Sequence, residues 1–214
     1  MIRENKGFLV ITSLIILLPA LIGLLLWAQL PEQLPIHFNS NGVADSFESK
    51  QRAILLYFVI LVIHWVAALF TSMDPRKANV SRKIYRLVLC ICPLVSVFMG
   101  VVIYGSALHW SWVNVNMMAN VLVGIIFVVI GNYLPKCRQN YTIGIKLPWT
   151  LMNEENWDKT HRFAGKIWML GGLIAMITGF IPVLKLEVVT IILIIAMTVP
   201  VVIYSYLLYR KKMG

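Results

Sequence analysis

The sequence predicts an all-α membrane protein: a six-transmembrane-helix bundle with both termini inside, a short external hairpin-like loop and a cytoplasmic helical loop. Three observations carry that prediction. Six runs contain no Asp, Glu, Lys or Arg, namely residues 8–27, 53–73, 87–108, 113–134, 167–184 and 188–209. A helix needs about 20 such residues to cross the hydrocarbon core. The composition is 59% hydrophobic and only 13% charged, where water-soluble domains carry about a quarter charged residues. Finally, sixteen of the nineteen lysines and arginines fall in alternate connections and the two tails. The positive-inside rule puts that side in the cytoplasm.

Taken in order, run 8–27 is longer than the apolar part of a signal peptide and is followed by no A-x-A-like site, so it reads as an anchor. The external segment, residues 28–52, leaves the membrane through Pro31 and Pro35, which favour extended chain. Its Asn41-Gly42 pair is a two-residue turn signal, so a small β-hairpin over the helix ends is expected. Pro19, Pro93 and Pro200 lie inside runs and predict kinks. The long cytoplasmic segment, residues 135–166, contains Asn153 followed by Glu154 and Glu155, a helix start. That helix should continue into run 167–184, with Glu155–Lys159 and Asp158–Arg162 as i,i+4 pairs. Lys166 and Lys185 can snorkel from the ends of this shorter run. Gly165, Gly172 and Gly179 recur every seven residues on one face, a pattern that lets a second helix approach closely. Two regions follow: an N-terminal membrane region, 1–112, and a C-terminal one, 113–214.

The chemistry points away from several functions. The net charge of +10 is an inner rim facing anionic lipid rather than a nucleic-acid surface, so the bilayer is the expected partner and direct nucleic-acid binding is not. No Asp, Glu, Lys or Arg lies inside a run, which argues against a proton- or ion-coupled pump. His64 reads as a neutral imidazole bonded between helices. No zinc, nucleophile-elbow, Walker or dinucleotide motif is present, so neither an enzyme nor a cofactor nor a metal is expected. His37, Asp45 and Glu48 could converge on a metal, but their spacing matches no defined site. Cys90, Cys92 and Cys137 form no framework. The tryptophans at 149, 157 and 168 read equally as an interfacial belt or as a partner surface.

Residues 144–172, GIKLPWTLMNEENWDKTHRFAGKIWMLGG, closely resemble the signature of the SdpI immunity-protein family of bacteria. Gly144, Lys146, Pro148, Trp149 and Thr150 fill its first run; Trp157, Thr160, His161, Arg162 and Gly165 fill its second. The external segment resembles a domain often found at the start of these proteins, matched by Pro31, Pro35, His37, Phe38, Asn39 and Gly42. The resemblance implies a cell-membrane protein that protects its producer against a secreted toxic peptide met outside. In the best-known member it also implies a receptor that holds a transcriptional repressor at the membrane when toxin is present, and the inner loop is the candidate surface for such a partner. A passive channel and a metal-dependent membrane enzyme remain the alternatives of other classes. Nothing in the sequence identifies the toxin, the partner or the oligomeric state.

Overall fold

The computed structural model describes residues 1–181 and 186–213, with only the backbone at 186, 187, 212 and 213. The elements run α1 (Lys6–Leu25), β1 (Gln33–Phe38), β2 (Ala44–Ser49), α2 (Lys50–Met73), α3 (Arg82–Ala107), α4 (Val115–Tyr133), α5 (Pro148–Met152), α6 (Glu154–Thr178) and α7 (Leu186–Met213). Among the described residues five helices are long and apolar enough to cross a membrane: α1 and α4, each with a short helical extension, α2, α3, and the Val188–Lys211 stretch of α7. This is a mostly helical, multi-pass membrane protein. α6 differs, because its first half carries Glu154, Glu155, Asp158, Lys159, Arg162 and Lys166 while its second half is apolar. The end of run 167–184, with Leu184 and Lys185, lies outside the described residues.

The chain divides into two compact units. The first comprises residues 1–72 and 85–118. Its core joins Ala20 of α1, Ala53, Ile54 and Tyr57 of α2, and Ile103 and Tyr104 of α3 to Leu30 and Leu34 from the hairpin segment. Leu34 is fully buried. Two strands alone are marginal, and this apolar contact with the helices is what supports them. Helix α1 meets α3 closely: a Cβ on Gly100 would lie 2.6 Å from the Pro19 ring. Close by, the Tyr104 hydroxyl donates to the Pro19 carbonyl at 2.9 Å. His64 bonds Thr12 Oγ1 at 3.0 Å, tying α2 to α1 through a fully buried pair, as a neutral inter-helix imidazole should.

The second unit comprises residues 73–84 and 119–214. Here the heptad of glycines has a counterpart. A Cβ on Gly165 would meet the Gly131 carbonyl at 2.7 Å, and one on Gly172 would meet the Gly124 carbonyl at 2.7 Å. Gly124 and Gly131 are themselves seven apart on α4, so two glycine stripes face each other and bring the backbones together. Gly179 has no part in that described contact; it is the residue that ends α6. Gly171 instead receives Met197 of α7.

Candidate functional site

Two sites emerge, one in each unit. The first is the hairpin. It forms, but its loop is longer than the two-residue turn the Asn41-Gly42 pair predicts. The last strand pair is Phe38 with Ala44, leaving residues 39–43 as the loop. Asn39 organises it: its Oδ1 accepts from the backbone N–H of Asn41 at 2.9 Å and of Val43 at 3.1 Å. Gly42 then takes a φ of +74°, which glycine adopts without a Cβ penalty. The side chain of Asn39, not a two-residue turn, sets the loop, which is the local bond that Asx residues offer a turning chain.

Register irregularities follow Pro35 and His37, and the second leaves Asp45 unpaired in the ladder. Asp45 Oδ1 then meets His37 Nδ1 at 2.6 Å on the exposed surface. Glu48 turns away to Arg52 at 3.3 Å, so the three residues do not converge. Among the described residues no three His, Cys, Asp or Glu side chains are grouped to hold a metal. At the foot of the hairpin, Lys50 pairs with Glu32 at 2.9 Å and lies over the Trp27 ring. The loop tip is pinned within the same unit, because Asn116 Nδ2 donates to the Ser40 carbonyl at 3.0 Å. Between them opens a cleft of about 410 Å³ lined by Phe38, Asn41, Gly42, Ser106, Val113 and Asn114, among others. Trp110 and Trp112 stack nearby in sequence with centroids 5.5 Å apart, and Trp112 is exposed.

The second site is the signature segment. Its centre is a buried stack of Trp157 on His161, centroids 4.0 Å apart. Trp157 Nε1 donates to the Cys137 carbonyl at 2.7 Å. His161 Nε2 accepts from the Ile145 N–H at 2.9 Å, so Nδ1 carries the hydrogen and donates to the Trp157 carbonyl at 2.8 Å. Both ring nitrogens are therefore occupied by backbone, and burial lowers the His161 pKa to about 4. The imidazole is a neutral strut. Gly144 makes room for it: its φ is +120°, and a Cβ there would lie 2.5 Å from His161 Nε2.

Thr150 braces the start of the short helix α5, whose first residue is Pro148, a position that needs no N–H. Its hydroxyl accepts from the Leu147 N–H at 2.9 Å. Trp149 Nε1 donates to Ser205 Oγ of α7 at 2.7 Å. Ser205 Oγ in turn donates to Asn156 Oδ1 at 3.1 Å, which also accepts from Thr160 Oγ1 at 3.0 Å. A chain of four polar side chains thus locks α5, α6 and α7 together, satisfied within itself as a buried network must be. Asn153 caps α6 as expected, accepting from the Asn156 N–H at 3.0 Å. Glu155 and Lys159 pair at 2.7 Å, whereas Asp158 and Arg162 form no ion pair among the described residues.

Of the nine signature residues singled out in this loop, Thr150, Trp157, Thr160 and His161 are buried, while Lys146, Pro148 and Arg162 are exposed. Trp149 and Gly144 are half-buried. A direct contact with anything outside the chain falls to the exposed three and to the open face of Trp149.

Sequence reasoning missed several residues that hold this site. Asp74, nearly fully buried, accepts from the Tyr141 N–H at 2.9 Å and from Thr142 Oγ1 at 2.8 Å through one oxygen. Its other oxygen accepts from the Arg76 N–H at 2.7 Å. Arg76 donates to Gln139 Oε1, whose amide nitrogen reaches the Thr150 carbonyl at 2.7 Å. Asn140 folds the loop on itself, accepting from Thr142 and Ile143 N–H groups. One signal was readable: Asp74 is the only acid in a connection otherwise rich in lysine and arginine.

The SdpI/YfhL protein family matches residues 136–207, the segment that carries the Trp157–His161 stack and the Trp149–Ser205 lock. A domain of unknown function, DUF1648, matches residues 14–67, which contain the hairpin. The chain is also 26% identical over 208 residues to the immunity protein SdpI of Bacillus subtilis (strain 168), covering 96% of this chain and 97% of that protein.

Together these matches support membership of the SdpI family.

Every residue that matched the SdpI signature lies in the second unit, and the hairpin lies in the first, in the order the resemblance implies. No solved structure matches the chain.

Proposed function

We propose that this protein is an immunity protein of the cytoplasmic membrane that protects its producer from a secreted toxic peptide. The observation that carries the reading is the end-to-end similarity to a protein named as an immunity protein, through both the hairpin domain and the signature segment. In this reading the second half of α6 is a sixth crossing, which keeps both termini and the basic loops inside. The hairpin then faces the exterior. Its cleft offers neutral amides (Asn41, Asn114) beside apolar walls (Phe38, Val113), the chemistry that suits an uncharged peptide segment. His37, Phe38, Asn39 and Gly42 shape that face, and Pro31 and Pro35 bring the chain to it.

A receptor role at the inner loop would use Lys146, Pro148 and Arg162, because these alone among the signature side chains are exposed. Buried Trp157 and His161 would transmit α6 movements to them rather than touch a partner. The decisive experiment expresses the chain in a toxin-sensitive bacterium and scores survival. Wild type should protect, and Asn116→Ala, which releases the hairpin tip, should weaken protection at equal membrane abundance. Failure of a correctly inserted wild-type protein to protect against any secreted peptide tested would refute the immunity reading.

A further inference from the structure

We propose that the second unit holds a binding pocket for the headgroup of an anionic phospholipid. The pocket, of about 430 Å³, is lined by residues that include Trp149, Met152, Asn153, Lys159, Tyr209 and Lys211. Its position points to lipid. Leu208, Tyr209 and Lys211 line it from the last turns of α7, whose apolar stretch Val188–Lys211 is long enough to cross a bilayer. The end of such a helix is where hydrocarbon gives way to headgroups, and where Trp and Tyr rings settle.

The pocket is built rather than incidental. The Trp149 ring stacks on Tyr209 at 6.0 Å and meets Tyr206 edge-on at 5.5 Å, while Ser205 fixes its nitrogen. That gives an immobile aromatic floor of the amphipathic kind found at the membrane interface. Met152 stands 82% exposed at the rim, a large flexible apolar side chain suited to the glycerol and upper acyl region. The charge on the walls favours an anion. Glu155 is engaged by Lys159 at 2.7 Å, and Lys211 adds a further exposed cation. A phosphodiester beside Lys159 and Lys211 is thereby matched in charge, with the Asn153 amide at the same wall.

The test uses purified full-length protein reconstituted in vesicles of equal phosphatidylglycerol and phosphatidylcholine, then native mass spectrometry of the lipid it retains. Wild type should retain phosphatidylglycerol in preference. Lys159→Gln with Lys211→Gln should reduce that preference by about fivefold per lysine, as expected for cations near an anionic surface. Both lysines are exposed, so the variant should fold, which circular dichroism checks. Lys83→Gln with Lys136→Gln, two exposed cations outside the pocket, should leave the preference unchanged. Equal retention of the two lipids would overturn the proposal. So would an equal loss in the control pair, which would mean a diffuse basic rim, or a co-purifying protein segment that occupies the pocket and excludes lipid.

Discussion

At the scale of single residues, the signature is a set of side chains selected for mutual fit. His161 shows this most directly. Burial lowers its pKa to about 4, so the folded protein holds it neutral while the unfolded chain protonates it near 6.5. The stability linked to this ring is complete above about pH 6.5 and is lost as pH falls towards 4, an effect of about 3 kcal/mol at its largest. Unfolding of purified protein followed between pH 7 and 4 should show that decline, and His161→Gln should flatten it. An unchanged slope in the variant would mean that another group is responsible. Gly144 makes the second residue-level case. Alanine there must adopt a φ of +120° and intrude on His161 and Trp157, so Gly144→Ala should cost about 2 kcal/mol or more. Gly7→Ala, in the first turn of α1 with nothing within 4 Å of a Cβ, should be neutral or slightly stabilising in the same unfolding measurement.

Among elements, the contact between α4 and α6 depends on four glycines whose absent side chains allow the backbones to touch. Gly165→Leu or Gly172→Leu should separate the helices and deplete folded protein from membranes, read by protease resistance and detergent-solubilised yield. Gly179→Leu, placed where α6 ends, should be far milder. The heptad of Gly165 and Gly172 was legible because small residues on one helix face have few other uses in a membrane. Its partners Gly124 and Gly131 were equally spaced, yet α4 offers no independent sign that this is its contacting face. The α6 cap was legible too, since Asn153 before two glutamates is a local signal. The bonds from Asp74 to Tyr141 and Thr142, and from Arg76 to Gln139, were not, for the opposite reason: those partners lie more than sixty residues apart. The hairpin was visible from Asn41-Gly42, but its loop length depended on which side chain closed it, and Asn39 was indistinguishable from its neighbours by propensity.

For the whole molecule, the number of crossings decides which side of the membrane each site faces. Among the described residues five helices have sufficient length and apolarity, and α6 falls short because it is half polar: one half builds the signature site and the other is apolar. Charge distribution argues for the sixth crossing proposed above. If α6 did not cross, the loop bearing Lys146 and the tail bearing Lys211 would lie on opposite sides of α7, and the basic residues would be split between both faces of the membrane, against the positive-inside rule. Single cysteines can settle this in a background with Cys90 and Cys92 replaced. Cys137 can stay, because it is buried and its pKa is raised to about 11, leaving almost no thiolate to react. An impermeant maleimide should label Ser46→Cys and Ser111→Cys on intact cells. Lys83→Cys, Lys146→Cys and Lys211→Cys should label only after permeabilisation. Lys146→Cys and Lys211→Cys on opposite sides would reduce the protein to five crossings and would refute the pocket at the end of α7, whose walls come from both segments.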